Sequence, residues 1–220
     1  MTLRMDGAEL WHDAAAACLP AIERAVADQP ADQAGIRLVG IEALSTLLAS
    51  DGPIGSRVAA HLGSKTRPVR MILFDKSAAT NWALGWHQDR TIVVRRRVDL
   101  PGFGAWTLKS GLLHVAPPID LLSRMVTIRV HLDPVPMTNA PLLIAPGSHR
   151  LGRVTEAEIG QAVARLGSCA CLADAGDIWA YATPILHASD AATDPRRRRV
   201  LQVDYAAEGL PGGLEWLGID

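Results

Sequence analysis

The sequence predicts a mainly β protein, a barrel or sandwich with flanking helices, and three observations predict it. Helical apolar spacing is confined to the first part of the 220-residue chain. From Val69 onward the pattern changes to short apolar runs broken by Gly, Pro and polar residues. No internal repeat, low-complexity tract or domain boundary interrupts the chain, so 1–220 is expected to form one domain, with a helical flank over 1–65 and a barrel core over 66–210.

Taken in order, Leu10, Ala14, Ala17, Cys18, Ile22 and Val26 predict a helix over 8–28, kinked or divided at Pro20, with Pro30 just beyond. Ile36 to Val39 reads as a short strand, and two short helices are expected near 41–49 and 54–62. Strands are expected at Val69–Phe74, Met125–Leu132, Leu142–Ala145, Ile178–Tyr181 and Val200–Tyr205, with weaker ones at Thr91–Val94 and Cys169–Leu172. The stretch from Arg95 to Pro118 contains several Gly and Pro residues and reads as a long loop, functional or mobile.

Composition narrows the function. Hydrophobic residues at 49% suffice for a core, and a net charge of −1 gives no field to recruit nucleic acid or an anionic membrane. No apolar run reaches the ~20 residues that span a bilayer. The acidic, helical N-terminal stretch lacks the features of a signal peptide. Cys18, Cys169 and Cys171 cannot pair evenly, and Cys169-Ala-Cys171 is too tight for a metal knuckle. Reduced thiols and a cytoplasmic location are therefore expected; a monomer or homodimer is expected as well.

Alternation raises a question that it cannot answer. Thr127, Arg129, His131 and Asp133 share one strand face, opposite Val126, Ile128, Val130 and Leu132. Likewise Arg198 shares a face with Val200, Gln202 and Asp204, opposite Arg199, Leu201, Val203 and Tyr205. A polar face usually meets solvent. The alternative is a barrel whose interior holds a polar pocket.

Two motifs carry chemistry. In Trp86-His87-Gln88-Asp89 a His and a carboxylate two apart can reach one metal, and a second His completes a face of three ligands. Such a face leaves positions open for a cosubstrate and O₂, as non-haem iron(II) oxygenases require. Alone the motif is weak, because His131-Leu132-Asp133 repeats it. His187 follows the largely apolar run Ile178–Leu186, and Arg198 comes soon after within Arg196-Arg197-Arg198-Arg199. A planar guanidinium there could grip the far carboxylate of 2-oxoglutarate, although a run of arginines is also what a solvated turn looks like.

Three segments together resemble the phytanoyl-CoA dioxygenase family: Leu84–Arg90, Ala140–Arg150 with its Pro-Gly-Ser-His-Arg turn, and Gly176–Trp179 through His187 to Arg198. With the strands around them they span residues 69 to 206. The resemblance implies a double-stranded β-helix (a cupin-like jelly roll) with the N-terminal helices packed outside. It implies an iron(II)- and 2-oxoglutarate-dependent dioxygenase that uses O₂ to hydroxylate a small molecule. His87, Asp89 and His187 would be the metal ligands and Arg198 the cosubstrate anchor, helped by Ser189. It demotes His131-Leu132-Asp133 to a barrel strand on which Arg129 and His131 line the pocket, favouring a small polar or carboxylated substrate. It makes His149 structural. Where the family often has Asn-Gly-Pro, this chain has Asn139-Ala140-Pro141, and a changed local turn is expected. Asp89 stands where related halogenases carry a small residue, which favours hydroxylation. Lys76, past its strand, could reach the cosubstrate, and His114 and Trp106 in the long loop could touch substrate. The triplet Arg95-Arg96-Arg97 could attract an anion, although exposed charge runs are usually unspecific. The competing readings are a cupin-like metal enzyme without 2-oxoglutarate and a non-catalytic jelly-roll binding module.

Overall fold

The computed structural model describes residues 1–30, 33 and 35–220, so residues 31, 32 and 34 of the expected helical flank lie outside the described residues. In chain order the elements are α1 (Leu3–Asp6), β1 (Ala8–Trp11), α2 (Leu19–Ala25), β2 (Ile36–Arg37), α3 (Glu42–Leu48), α4 (Gly55–Leu62), β3 (Arg67–Lys76), β4 (Leu84–His87) and β5 (Ile92–Val94). There follow β6 (Gly104–Lys109), β7 (Leu112–Ala116), α5 (Ile119–Ser123), β8 (Val126–His131), β9 (Leu142–Ile144), α6 (Glu156–Leu166), β10 (Cys169–Cys171), β11 (Ile178–Ala182), β12 (His187–Ser189) and β13 (Arg198–Ala206).

A six-stranded sheet runs β1-β11-β8-β13-β3-β2 and a four-stranded sheet runs β10-β9-β12-β4. Every pairing in them is antiparallel. This is the expected double-stranded β-helix. The larger sheet explains the two alternating faces. Ile128, Val130, Leu201, Val203 and Tyr205 join Met71 and Leu73 in one apolar core with Ile22, Leu44, Leu48, Ile54 and Val58 of the helices. That layer covers the outer face. The inner face carries Trp179 and Tyr181, which pack against Leu142, Ile144 and Cys171 of the smaller sheet. Thr127, Arg129 and His131 are all buried, so their polar face looks into the barrel.

Two expectations fail. Residues 8–28 do not form one helix: Ala8–Trp11 is an edge strand, paired from Ala8↔Tyr181 to Trp11↔Ile178. The open edge of β11 satisfies that backbone better than an isolated helical turn would, and tertiary pairing overrides a weak local propensity. The helix begins only at Leu19, with Pro20 in its first turn, where a missing N–H costs nothing. The stretch 95–118 is no loop, because β6 and β7 form a hairpin and β7 also pairs with β5. Its turn is Ser110-Gly111, with φ of 49° and 76°, the left-handed pair that a two-residue hairpin needs. At Asn139-Ala140-Pro141, Ala140 holds φ 52°, a left-handed conformation that favours glycine and that Ala adopts here despite its Cβ. The helix α6 was not anticipated, although its capping box, Thr155 with Glu158, is a readable signal.

Cys18, Cys169 and Cys171 form no disulfide. Among the described residues no helix is long and apolar enough to cross a membrane.

Candidate metal centre

The smaller sheet sets the site. β4 and β12 pair with His87 directly opposite His187, which brings the two rings to 4.2 Å between centroids. Asp89 follows in the loop beyond β4. The ligand-capable atoms of His87, Asp89 and His187 all lie within 4.8 Å of one another. In each His, Nδ1 faces the carbonyl of the residue two back, Gly85 at 2.8 Å and Ile185 at 2.9 Å. A carbonyl can only accept, so Nδ1 carries the proton and Nε2 keeps its lone pair for a metal.

Protonation agrees with that use. Burial lowers the His187 pKa to about 4, so its ring is neutral at pH 7. For Asp89, burial works to raise the pKa, but Arg70 above all, then the two histidines, holds it below the usual carboxylate range. A neutral imidazole and an ionised carboxylate are the forms that bind a divalent cation. The donor set, two imidazole nitrogens and one carboxylate oxygen, fits a non-haem iron ion.

Arg70 was missed by sequence reasoning. It lies on β3 and meets Asp89 at 3.3 Å and Asp204 at 2.5 Å. Thr127 donates to the other oxygen of Asp204 at 3.0 Å. A buried chain of polar groups thus ties the loop after β4 to the larger sheet. Its signal is the pairing register, in which Arg70 and Asp204 are direct neighbours, and no single-strand pattern shows that.

The triad opens on a cavity of about 370 Å³ also lined by Arg198, Ser189, Lys76, Arg129 and His114. Arg198 is 3% exposed, donates to the Ala140 carbonyl and has no carboxylate partner among the described residues. Its Nε is buried without a hydrogen bond. Burial, then Arg129, lowers its pKa to about 9. The Ser189 hydroxyl donates to the same Ala140 carbonyl at 3.3 Å. Lys76 lies beside Arg198 in the β3–β13 register and donates to the Trp82 carbonyl at 2.8 Å. Burial, then Arg198 and Arg129, lowers its pKa to about 8.

Two candidates face elsewhere. Trp106 packs in a separate core under Arg97, 5.4 Å from its ring, because β6 turns that face away from the cavity. His131 points into the barrel but does not line the cavity, and both ring nitrogens are buried without partners. The second His-x-Asp motif is split because β8 ends at His131, and Asp133 beyond it binds Arg199 at 2.7 Å. Of the basic triplet, Arg95 and Arg96 donate to the carbonyls of Trp216 and Gly213, and Arg97 pairs with Asp99. These contacts tie chain segments together. His149 stays away from the cavity, packed against Gly7.

The family model described as phytanoyl-CoA dioxygenase (PhyH) matches residues 25–200. No curated protein matches the chain. Among solved structures, apo EctD from S. alaskensis is similar at 19% identity with a TM-score of 0.64, over 93% of this chain and 74% of that one. HygX from Streptomyces hygroscopicus with iron bound is similar at 14% identity and a TM-score of 0.61, over 93% and 83%. The α-ketoglutarate-dependent epimerase SnoN from nogalamycin biosynthesis is similar at 16% identity and a TM-score of 0.61, over 96% and 87%. At these identities the likeness shows a shared fold. EctD has also been solved with 2-oxoglutarate and 5-hydroxyectoine.

Proposed function

The chain belongs to the phytanoyl-CoA dioxygenase family, and from that premise we propose that it is an iron(II)- and 2-oxoglutarate-dependent oxygenase. It hydroxylates a C–H bond of a small molecule, with release of succinate and carbon dioxide. The observation that carries this reading is the meeting, in one cavity, of a His–Asp–His cluster and a buried arginine that has no carboxylate partner among the described residues. Support also comes from fold neighbours solved with iron or 2-oxoglutarate, among them EctD and HygX.

In this role Nε2 of His87, Nε2 of His187 and one oxygen of Asp89 hold the iron. When bound, iron(II) with 2-oxoglutarate and O₂ supplies an oxidant able to take hydrogen from an unactivated C–H bond. The remaining work falls to the chain. Arg198 receives the far carboxylate of the cosubstrate, which removes the cost of a buried, unpaired guanidinium. Ser189 and Lys76 flank it. Phe74, Ile72 and Leu142 line the same cavity and keep water away from the reacting carbon. A cavity near the lower end of the usual range of roughly 300–1,000 Å³ suits a small substrate. Asp89 occupies the place that a halogenase leaves free for halide, which favours hydroxylation.

The test is anaerobic addition of iron(II) and then 2-oxoglutarate, followed by visible spectroscopy. A weak charge-transfer band is expected only when both are present. Iron uptake without the band would favour a cupin-like enzyme of another type, and no uptake at all a binding module. SnoN is an epimerase, so product mass then separates hydroxylation, with one added oxygen, from epimerisation.

A further inference from the structure

We infer that the substrate is an acid, and that Arg37 and Lys109 at the cavity mouth bind its oxyanion, a carboxylate or a phosphate. The inference rests on the oxygenase reading only in naming that ligand the substrate. The cavity is cationic at two separate places. Deep in the barrel stand Arg198, Lys76 and Arg129; at the mouth stand Arg37 and Lys109, beside His114. Among the described residues only Asp89 lines the cavity as an acid, and Arg70 and Asp204 neutralise each other behind it.

Strand geometry separates the two places. Arg198 pairs with Lys76, whereas Arg37 pairs with Ile72, four residues away along β3. At the rise of a β-strand that is about 13 Å. The far carboxylate of the cosubstrate belongs with Arg198, which is buried and has no acid among the described residues, and this leaves Arg37 for a second ligand. Arg70, which touches Asp89, lies two residues beyond Ile72 on the same face, about 7 Å along the strand. An acid held at Arg37 would therefore place its carbon chain beside the metal cluster.

The mouth is short of partners. Arg37 is half-buried; among the described residues its Nη1 reaches only the Ser110 hydroxyl at 3.1 Å, and its Nε is buried without a hydrogen bond. No carboxylate among the described residues pairs with it or with Lys109. His114 is 1% exposed; its Nδ1 donates to the Leu112 carbonyl at 2.9 Å. Its Nε2 has no partner and presents a lone pair, able to accept from Lys109 or from an O–H of the ligand. Arg129, whose Nε is also buried without a hydrogen bond, is engaged by Gln202 at 3.1 Å, lies over Phe74 and belongs with the buried group around Arg198, so the mouth is left to Arg37 and Lys109.

The experiment uses the full chain, saturated with 2-oxoglutarate and with nickel(II) to prevent turnover. Hexanoate, hexyl phosphate and the neutral hexanamide are titrated by ligand-observed NMR. At least one oxyanion should bind about tenfold more tightly than the amide, as a charge-assisted contact predicts, and the tighter of the two identifies the group. Arg37→Gln should erase most of that preference and Arg37→Lys keep much of it. The exposed Lys109→Gln, which carries no folding risk, should weaken it about threefold. The affinity for 2-oxoglutarate, measured on the same samples, should stay within about twofold in Arg37→Gln. Equal binding of acid and amide, an unchanged preference in Arg37→Gln, or displacement of 2-oxoglutarate by the acid would overturn the inference. Acid binding at the mouth without any 2-oxoglutarate binding would instead sink the oxygenase reading and leave this site standing.

Discussion

Four adjacent arginines differ in what they can do because the strand gives each a different partner. Arg196 lies in the exposed turn with Asp194, Arg197 pairs with Asp75, and Arg199 pairs with Asp133 and Glu23 on the outer side. Of the four, Arg198 alone turns inward, and it has no acid partner among the described residues. Its substitution by Ala should weaken 2-oxoglutarate binding by about 2–4 kcal/mol, roughly thirty- to a thousandfold, the scale of a lost buried charge-assisted contact. Arg197→Ala and Arg199→Ala should change that affinity far less, since each loses an ion pair outside the cavity, although Arg197→Ala also leaves the buried Asp75 unpaired and should cost stability. Titration of the three variants decides it: a large loss at 199 with none at 198 would put the anchor on the wrong residue.

Among the elements, β8 shows the cost of a fully buried strand. Every residue from Val126 to His131 is buried, and the ring nitrogens of the inner one at its end, His131, have no hydrogen-bond partner among the described residues. Burial, then Arg129 and Arg198, lowers its pKa from the ordinary 6.5 to about 3. Between those values the unfolded chain binds a proton that the folded chain refuses, so folding stability falls as pH drops below about 6.5. From pH 7 to pH 5 this one residue should cost about 2 kcal/mol. Urea unfolding at the two pH values measures it, and His131→Gln should reduce the difference by that share. An equal pH dependence in the variant would mean that His131 is not held neutral.

For the molecule as a whole, the metal cluster is a clasp. It joins β4 to β12 in the smaller sheet, and Arg70 carries the connection from Asp89 to β3 and β13 in the larger one. A ligand that binds only this assembled state stabilises the whole fold. Iron(II) at about one hundred times its Kd should add about 2.7 kcal/mol. That corresponds to a rise in Tm of roughly 5–11 °C for a chain of this size. Anaerobic melting with and without a chelator reads the shift, and His187→Ala should abolish it. A full shift in that variant would move the ligand set elsewhere.

The sequence by itself determined what repeats along one strand or sits at short spacing. The apolar alternation of Val126–Leu132 and Leu201–Tyr205, the helices near Glu42–Leu48 and Gly55–Leu62, and the family motifs around His87 and His187 are of this kind. Tertiary structure decided everything that depends on a neighbour distant in the chain. It turned the polar face of β8 inward, because helices already cover the other face. It made Ala8–Trp11 a strand, because β11 had an open edge. It brought His87, not His131, opposite His187. It also set Arg70 between two carboxylates and Arg37 at the mouth, where nothing local marks either. Periodicity records which side chains share a face, but the partner that covers the face comes from elsewhere in the chain, and only folding chooses it.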